Sequence, residues 1–294
     1  MTIFLSKLNT IADNTNTYLK KNFIKQEKKS NLLQPMKYGI FSGGKRFRAA
    51  IVVNAGKIYG ISYRKLIIIA SAIECIHSYS LIHDDLPSMD NDELRRGKLT
   101  VHKKFNEFTA ILAGNSLLTL AFEILSGPDL KLSQVCKNEL INTLSVCSGH
   151  SGLAGGQYSD LTFQNKNIGK KNIIDMQKKK TGELFGFCCE SIAILKGVNK
   201  EKRATLKAIG INIGLLFQTV DDLIDHKGDS SIVGKPTKSD KKKGKATLIS
   251  LLGYDETVNF AKNLKKEIDE QIKKYGIKAD DLLDSVKFII ERKF

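Results

Sequence analysis

The chain carries two clusters of carboxylates whose residue types and spacing suit the binding of divalent cations. The first is the segment HDDLPSMDND at residues 83–92, and the second is the segment FQTVDDLID at residues 217–225. Carboxylate oxygens are the ligands that Mg²⁺ prefers in proteins. Lysines and arginines near both clusters would suit phosphate oxygens. If the fold brings the clusters together, the combination predicts a site for a diphosphate held through several magnesium ions.

The second cluster has the spacing of a helix face. Asp221 and Asp225 are four residues apart, so on a helix they share one side, where two like charges repel. A divalent cation would turn that repulsion into coordination. Gln218 lies one turn earlier on nearly the same side and could contact a ligand or a metal-bound water. An acidic helix face in water is the alternative interpretation.

In the first cluster, Asp84 and Asp90 are six residues apart, which does not fit one helix face. Pro87 between them cannot occupy a regular helix interior, so we expect a loop that returns Asp90 beside Asp84. Arg95 and Arg96 follow at once, and guanidinium groups suit phosphate oxygens. The acidic run and the arginine pair could instead form a self-neutralising group of salt bridges.

The segment GIFSGGKRFR at residues 39–48 nearly matches a nucleotide-binding P-loop. However, Arg46 stands where that motif needs a serine or threonine for magnesium, so we reject a P-loop. We expect instead a glycine turn that places Lys45 and Arg48 on one helix face as an anion clamp. His77 lies seven residues before Asp84, about two helical turns along the same predicted helix.

Helices are the elements that must position these residues. Apolar residues recur at the three- and four-residue spacing of helices around residues 67–76, 117–124, 192–195 and 206–217. Only 4 prolines occur among 294 residues, and alternating strand patterns are scarce. We therefore predict an all-α fold, a single-domain helical bundle spanning 1–294. A polar, lysine-rich segment at about 226–247 predicts a flexible basic loop, either a solvated connection or a flap over an anionic ligand.

The composition limits the kinds of partner and ligand that the protein could bind. The net charge is +16, but the excess is mostly lysine spread along the chain without aromatic–arginine interleaving, so we expect no nucleic acid. The 5 cysteines include no CxxC pair, which favours reduced thiols over a zinc site.

The apolar runs are too short or too polar to span a membrane. The run at residues 66–73 ends at Glu74, and residues 110–125 contain Asn115 and Glu123, so we expect no membrane insertion. The first ten residues lack the features of a signal peptide, and a cytoplasmic location follows as an expectation.

Taken in order along residues 39–252, these motifs resemble those of the trans-isoprenyl diphosphate synthases, with bacterial farnesyl diphosphate synthases as the nearest likeness. The matching segments are GGKRFR, IHSYSLIHDDLPSMDNDELRRG, GGQYSDL, KTGELF, FQTVDDLID and the loop lysines Lys235 and Lys245. The resemblance implies an all-α bundle with a deep central cavity, a homodimer, and a 1′-4 condensation of isopentenyl diphosphate with dimethylallyl or geranyl diphosphate. It further implies three Mg²⁺ per site, with Mn²⁺ able to substitute.

The resemblance also assigns roles to residues. It implies that Mg²⁺ is bound by Asp84, Asp90 and Asp221, with Asp85 and Asp225 in support. It assigns the allylic diphosphate to Arg95, Lys180, Thr181, Gln218 and Lys235, with Lys245 as a further substrate-binding lysine. It assigns isopentenyl diphosphate to Lys45, Arg48, His77 and Arg96. Among these, Asp84, Asp85, Asp90, Arg95, Lys180, Asp221 and Lys235 would carry the chemistry.

Product length should depend on the helix that leads to Asp84. Tyr79 and Ser80 lie five and four residues upstream, and Tyr79 would be roughly 7.5 Å below the metal end. Its ring could stop a growing chain. Tyr79 with the Leu86-Pro87 insertion also resembles the pattern of bacterial C15-producing members of the family, and this resemblance favours farnesyl diphosphate over geranylgeranyl diphosphate. Three positions depart from the family's usual pattern: Ala49 replaces a proline, Val220 a glutamine and Asn91 an aspartate.

Three other activities remain possible from the sequence. A terpene cyclase shares an aspartate-rich magnesium site, but it needs no second diphosphate pocket, so Lys45, Arg48 and Arg96 argue against it. A non-enzymatic basic binding protein gives no reason for the spacing of the aspartates. A catalytically weakened prenyltransferase subunit is disfavoured by the retained aspartates, although Val220 leaves the hydrogen bonding around the second cluster open.

Overall fold

The computed structural model describes residues 2–26, 30–228 and 243–292, and within these ranges the protein is built almost entirely of helices. The α-helices, in chain order, are α1 (Thr2–Gln26), α2 (Leu33–Ile40), α3 (Phe47–Ile58), α4 (Tyr63–Asp84), α5 (Val101–Lys104), α6 (Glu107–Ser126), α7 (Gln134–Ser148), α8 (Leu153–Thr162), α9 (Lys170–Gln177), α10 (Glu183–Lys196), α11 (Lys200–Lys227), α12 (Leu248–Leu252), α13 (Tyr254–Lys273) and α14 (Asp280–Glu291). Short 3₁₀ turns occupy Pro128–Leu130 and Gly276–Ala279. The predicted all-α class is confirmed, and each of the four predicted helical stretches falls within a helix.

The chain divides into two compact units. The N-terminal unit comprises Thr2–Val53 and Ser62–Ile141, and the C-terminal unit comprises Asn54–Ile61 and the described part of Asn142–Phe294. Each has its own buried apolar residues. The single-domain assignment made from the sequence stays a prediction.

Helix α4 forms the core of the N-terminal unit and ends at the first aspartate cluster. Every residue from Leu66 to Ile76 is buried, so the whole circumference of this stretch packs against protein. Continuous burial explains why the apolar run is nearly unbroken rather than restricted to one stripe. Its main partner is α6, whose Ala110, Ala113, Gly114 and Leu117 are buried. The small residues let the two helices approach closely, which fixes the direction in which α4 delivers Asp84.

A two-stranded hairpin follows the first cluster and carries its two arginines. Strands β1 (Leu94–Arg95) and β2 (Lys98–Leu99) pair antiparallel with Leu94 opposite Leu99. Arg96 and Gly97 form the two-residue turn, with φ of +53° and +73°. Positive φ at both central positions is the geometry that matches the twist of a tight hairpin. The hairpin therefore holds Arg95 and Arg96 in different backbone conformations.

Helices α10 and α11 form the centre of the C-terminal unit and pack at glycines. A Cβ at Gly210 would collide with the backbone of Phe185, and one at Gly214 with the backbone of Gly182. This close contact holds the C-terminal half of α11, which carries the second aspartate cluster. Between α9 and α10 the residues Lys178–Gly182 form a π-helical turn, a feature that is often found at functional sites.

The chain that leads into α12 is anchored by a small apolar core. Ala246 and Leu248 pack with Ile173 of α9, and the backbone N–H of Asn165 donates to Gly244 O at 2.9 Å. The predicted basic loop begins later than expected, because α11 continues through His226 to Lys227. Its residues 229–242 lie outside the described ranges.

Two described helices are long and apolar enough to cross a membrane by length and composition alone. In α4, 83% of the apolar window is buried inside the protein, as expected of a core helix. In α6 the share is only 44%, so part of its apolar surface faces outward.

Candidate active site

The loop after α4 brings the two aspartates of the first cluster together. The backbone N–H of Asp90 donates to Asp84 O at 2.9 Å, and the N–H of Asn91 donates to Leu86 O at 3.0 Å. These bonds close the chain around Pro87, as the sequence predicts. Asp84 and Asp90 are both half-buried, and together they present carboxylate oxygens at the end of α4.

Asp85 points to a different partner. Its carboxylate is 2% exposed and accepts from Arg95 Nε at 2.8 and 2.9 Å, with a further bond from Arg95 Nη2. Burial alone would lower the pKa of Arg95, but Asp85, with Asp84 and Asp92, outweighs it and raises that pKa. The first cluster thus has two carboxylates at the loop, and it also contains a salt bridge of the kind that the sequence offered as the alternative interpretation, between Asp85 and Arg95.

The glycine turn is held by a buried charge network that the sequence does not reveal. Arg46, 5% exposed, bonds through Nε to Asn16 Oδ1 at 3.0 Å, through Nη1 to Glu74 Oε2 at 3.3 Å, and through Nη2 to Ile40 O. Glu74 is 2% exposed, and a charge buried to this degree needs such a partner. Glu74 is the lone glutamate within the apolar run of α4, and this position in the sequence could have indicated a buried ion pair.

This network explains an error in the sequence prediction. Helix α3 begins only at Phe47, so Lys45 lies in the preceding turn rather than on a helix face with Arg48. Gly43, Gly44 and Arg46 all have positive φ, between +50° and +110°, which a helix cannot accommodate. Lys45 is exposed and Arg48 is half-buried.

Arg96 and His77 lie among several cations in the N-terminal unit. Arg96 Nη1 donates to Gly43 O, and a Cβ at Gly44 would collide with the guanidinium. The two main causes that lower the pKa of Arg96 to about 10 are burial of the guanidinium, which is the larger, and repulsion from Arg46. Arg96 therefore stays charged at neutral pH. Burial, with Arg48 and Arg96 next in importance, lowers the pKa of His77 well below its usual value. A neutral imidazole within a group of arginines is suited to bind an anion that brings compensating charge.

The residues predicted to control product length lie on α4 just before the cluster. Tyr79 is 9% exposed, and its ring packs edge-on against His83 with centroids 5.7 Å apart. His83 Nε2 lies 3.1 Å from Ile111 O, in a space that a Cβ at Gly114 would fill. Ser80 uses its hydroxyl within its own helix, donating to His77 O at 2.9 Å.

In the C-terminal unit, Asp221 and Asp225 lie one turn apart near the end of α11, as predicted. Asp221 has a partner that the sequence did not suggest. Arg292 Nη1 lies 2.7 Å from Asp221 Oδ1, its Nη2 donates to Phe217 O at 3.3 Å, and its guanidinium lies 4.0 Å from the centre of the Phe217 ring. A basic side chain therefore lies on the carboxylate that was predicted to bind metal.

The neighbouring Asp222 is buried and belongs to a chain of hydrogen bonds. It is 4% exposed and accepts from Gln177 Nε2 and from Gln218 Nε2, each at 2.8 Å. Gln218 Oε1 in turn accepts from Thr181 Oγ1 at 2.9 Å. Both ends of the Gln218 amide are thus hydrogen-bonded, and the carboxylate that it contacts is Asp222 rather than Asp221.

Two of the predicted substrate-binding lysines meet at one buried carboxylate. Asp160 Oδ2 lies 2.6 Å from Lys180 Nζ and 3.6 Å from Lys245 Nζ. Burial alone would raise the pKa of Asp160, but the two lysines outweigh it and lower that pKa. A Cβ at Gly156 would collide with the backbone of Lys180, so the second glycine of GGQYSDL lets α8 lie against the π-helical turn. Lys235 lies outside the described residues.

The donor set of both clusters suits magnesium, because it consists of carboxylate oxygens without sulfur or imidazole. Asp84 with Asp90, and Asp221 with Asp225, are the residues that would hold the ions. Within the described parts of the chain, no group of three or more His, Cys, Asp and Glu residues is close enough to hold a metal.

The three departures from the usual motifs have local explanations. The N–H of Ala49 donates to Glu74 Oε1 at 3.3 Å, a bond that a proline could not make. Asn91 has a φ of +52°, a conformation that asparagine tolerates better than most residues. Val220 is fully buried, and Gln177 and Gln218 supply amide donors to the cluster that Val220 cannot.

Comparison with known proteins identifies similar chains and similar structures. Residues 29–284 match the polyprenyl synthetase family model. The chain is 40% identical to farnesyl diphosphate synthase of Escherichia coli over 253 residues, covering 85% of this chain and 84% of that protein. The apo structure of an FPP/GFPP synthase from Zymomonas mobilis is similar, with a TM-score of 0.87, 37% identity, and coverage of 98% of this chain and 100% of that one.

A geranyltransferase from Helicobacter pylori, solved with magnesium and isoprenyl diphosphate, has a TM-score of 0.81 at 29% identity, with 98% and 96% of the two chains covered. The match to the family model alone covers far more than half of the chain. On this similarity, and on the motifs that the structure arranges, the chain belongs to the polyprenyl synthetase family.

Proposed function

We propose that the protein is a farnesyl diphosphate synthase that condenses isopentenyl diphosphate with dimethylallyl or geranyl diphosphate. The observation that carries this proposal is the presence of two different kinds of anion-binding residues. The N-terminal unit offers arginines and a neutral histidine around the glycine turn, and the C-terminal unit offers lysines and an amide beside carboxylates. A terpene cyclase needs only one diphosphate site, whereas an elongating enzyme needs two. Similarity to farnesyl diphosphate synthases over most of the chain supports the same activity.

In this proposal Asp84, Asp90 and Asp221 bind Mg²⁺, with Asp85 and Asp225 in support, and three ions serve each site. The bound ions would neutralise the charge that develops on the departing diphosphate. Asp85 contributes by holding the Arg95 guanidinium in place. Mn²⁺ should substitute, because it accepts the same oxygen ligands.

The chain's own cations orient the two substrates. Arg95, Lys180, Thr181, Gln218, Lys235 and Lys245 hold the allylic diphosphate, and Lys45, Arg48, His77 and Arg96 hold isopentenyl diphosphate. Loss of the allylic diphosphate leaves a carbocation that the double bond of isopentenyl diphosphate attacks. The departed diphosphate takes up the proton released in the last step, so that no further protein base is required.

Incubating the protein with Mg²⁺, isopentenyl diphosphate and dimethylallyl diphosphate, then measuring the product length, tests this function. We expect farnesyl diphosphate and no turnover in EDTA. A geranylgeranyl product would show that the reaction is the proposed condensation but that the product is C20 rather than C15. Absence of any product, even with geranyl diphosphate as primer, would favour a catalytically weakened subunit.

We propose that Tyr79 sets the product length, with Ser80 beside it. The support is that Tyr79 is a bulky side chain held within the packed end of α4, next to His83. Tyr79→Ala should lengthen the product by one or more C5 units, whereas Tyr63→Ala, at the other end of α4, should not. A C15 product from Tyr79→Ala would show that another residue stops the chain.

We also propose a homodimer formed through the outward face of α6. Phe108, Ile111 and Leu112 lie at helical spacing and are 66%, 42% and 48% exposed. A cluster of this kind on one helix is typical of an interface between subunits. Light scattering should give twice the chain mass for the native protein and a monomer for Phe108→Asp with Ile111→Asp. A native monomer at micromolar concentration would refute the proposal.

The remaining proposals concern the whole chain. We propose that residues 1–294 act as one polyprenyl synthase domain in the cytoplasm. All five cysteines are free thiols, which suits a reducing compartment. Neither nucleic acid nor membrane insertion is part of the proposed function.

A further inference from the structure

The hydrogen bonds around Gln218 contain a directional constraint that the diphosphate-binding proposal does not explain. A glutamine side chain has a donor end and an acceptor end, and which end faces a neighbour decides whether it attracts or repels an anion. Gln218 lies half-buried at a small cavity that Lys180 and Lys245 also line. Only its N–H₂ end could bind a phosphate oxygen there.

Thr181 cannot set this orientation by itself. Its hydroxyl donates to Gln218 Oε1 at 2.9 Å, but a hydroxyl both donates and accepts, so it would adapt to a reversed amide. Asp222 differs, because an ionised carboxylate only accepts. Its contact with Gln218 Nε2 at 2.8 Å therefore specifies the donor end of the amide.

The burial of Asp222 makes this constraint strong. At 4% exposure its oxygens cannot turn to water, so removing a donor would leave a buried charge under-satisfied. Its other oxygen accepts from Gln177 Nε2 at 2.8 Å, and Gln177 is 3% exposed. Among the described residues no donor reaches Gln177 Oε1, which is consistent with Asp222 dictating that amide also.

We propose that Asp222 is a positioning residue that orients the Gln218 amide so that its second N–H donates to the allylic diphosphate. This proposal rests on the proposed function, because it takes the bound group to be a diphosphate. Asp222 acts through Gln218 and needs no contact with substrate. In this proposal, the role of the negative charge is to make the side chain a pure acceptor.

Two substitutions at Asp222 separate orientation from charge. Asp222→Leu removes both acceptors, so the Gln218 amide is free to reverse, and we expect the KM for geranyl diphosphate to rise about tenfold. Asp222→Asn also removes the charge, but Gln177 can turn over to face the new N–H₂ group. The asparagine oxygen then still accepts from Gln218, and we expect only about a two- to threefold rise in that KM.

A double variant strengthens the test. With Gln177→Glu added to Asp222→Asn, the new glutamate only accepts, so the asparagine must donate to it and turn its oxygen toward Gln218. This double variant should keep the KM for geranyl diphosphate at or below that of Asp222→Asn. In all these variants the KM for isopentenyl diphosphate should stay constant, and kcat should change less than the KM for geranyl diphosphate.

Calorimetric titration with inorganic pyrophosphate provides a readout that does not depend on turnover. The dissociation constant should rise for Asp222→Leu in parallel with the KM for geranyl diphosphate. Asp269→Asn, which breaks the contact with Lys265 on α13 outside this cavity, is the matched control and should leave both quantities unchanged. If the native protein binds pyrophosphate but makes no prenyl product, the proposed function fails while the positioning role can still be judged from pyrophosphate binding.

The decisive comparison is between leucine and asparagine at Asp222. Equal impairment in both would show that the charge of Asp222 matters and would overturn the proposal, as would normal pyrophosphate binding in a folded Asp222→Leu. If Asp222→Leu does not fold, Gln218→Met in the Asp222→Asn protein removes the amide itself. Unchanged pyrophosphate binding there would equally overturn the proposal.

Discussion

The two units hold their positively charged side chains by different chemistry. In the N-terminal unit the cations are arginines whose positions are fixed by backbone carbonyls and buried carboxylates, as Arg46, Arg95 and Arg96 show. In the C-terminal unit they are lysines that share Asp160, beside a glutamine held by Asp222. Arginine offers a rigid planar fork, whereas lysine is a mobile point charge. We therefore expect the first arrangement to be rigid before ligand binds, and the two lysines of the second, which share one carboxylate, to adjust when ligand binds.

The largest effect should come from the carboxylates that we propose as metal ligands in each unit. Asp84→Ala and Asp221→Ala should each reduce kcat by about a thousandfold, because each removes a proposed metal ligand whose loss would cost about 4 kcal/mol of transition-state stabilisation. Steady-state kinetics at saturating Mg²⁺ measures this, with circular dichroism to verify folding. A near-normal rate in only one variant would show that the two units do not contribute equally to the metals.

The rigidity attributed to the N-terminal unit can be tested through its buried ion pair. Glu74→Gln leaves the Arg46 charge buried without its carboxylate and should lower the free energy of unfolding by about 3–5 kcal/mol. Urea denaturation measures the change. Lys287→Gln, which breaks an exposed pair with Glu291, should cost less than about 1 kcal/mol. Similar losses from both substitutions would remove the reason for calling the arginine network a rigid scaffold.

The lowered pKa of His77 gives the N-terminal unit a pH dependence of its own. The folded protein keeps His77 neutral while the unfolded chain takes up a proton below about pH 6.5, so acid favours unfolding. The contribution of His77 to the free energy of unfolding is fully present above that pH. It falls as the pH drops, by about 1 kcal/mol at pH 5.5. Comparing urea denaturation of the native protein and His77→Gln at pH 7.5 and 5.5 isolates this contribution. An identical pH dependence in the two proteins would contradict the lowered pKa.

The smallest effect concerns the contact between Arg292 and Asp221 in the C-terminal unit. If Asp221 binds magnesium as proposed, the ion competes with Arg292 for this half-exposed carboxylate, so Arg292→Ala should tighten Mg²⁺ binding about two- to fivefold. Calorimetric titration of the substrate-free protein with Mg²⁺ measures the change. Lys287→Ala on α14 is the control for altered net charge. Weaker Mg²⁺ binding in Arg292→Ala would show that the arginine supports the metal site rather than competing with it.

Much of the local structure could be predicted because its causes are local. Pro87 ends α4 and forces the loop that returns Asp90 to Asp84, and the four-residue spacing places Asp221 and Asp225 on one side of α11. The helical class follows from apolar periodicity, and the same motifs identified the family. The prediction failed at Lys45, where a charge network from distant residues holds Arg46 in a backbone conformation that delays the start of α3.

Sequence alone thus determined which residues carry charge, that Asp221 and Asp225 share one side of a helix, and which cations the carboxylates suit. Only the tertiary structure decided the partners: Asp85 with Arg95, Asp160 with two lysines, Asp222 with two glutamines, and Glu74 with Arg46. The physical reason is that a buried polar group must be satisfied by whatever packing brings near. Residues 45 positions apart, such as Gln177 and Asp222, leave no periodic pattern that would reveal such a pair beforehand.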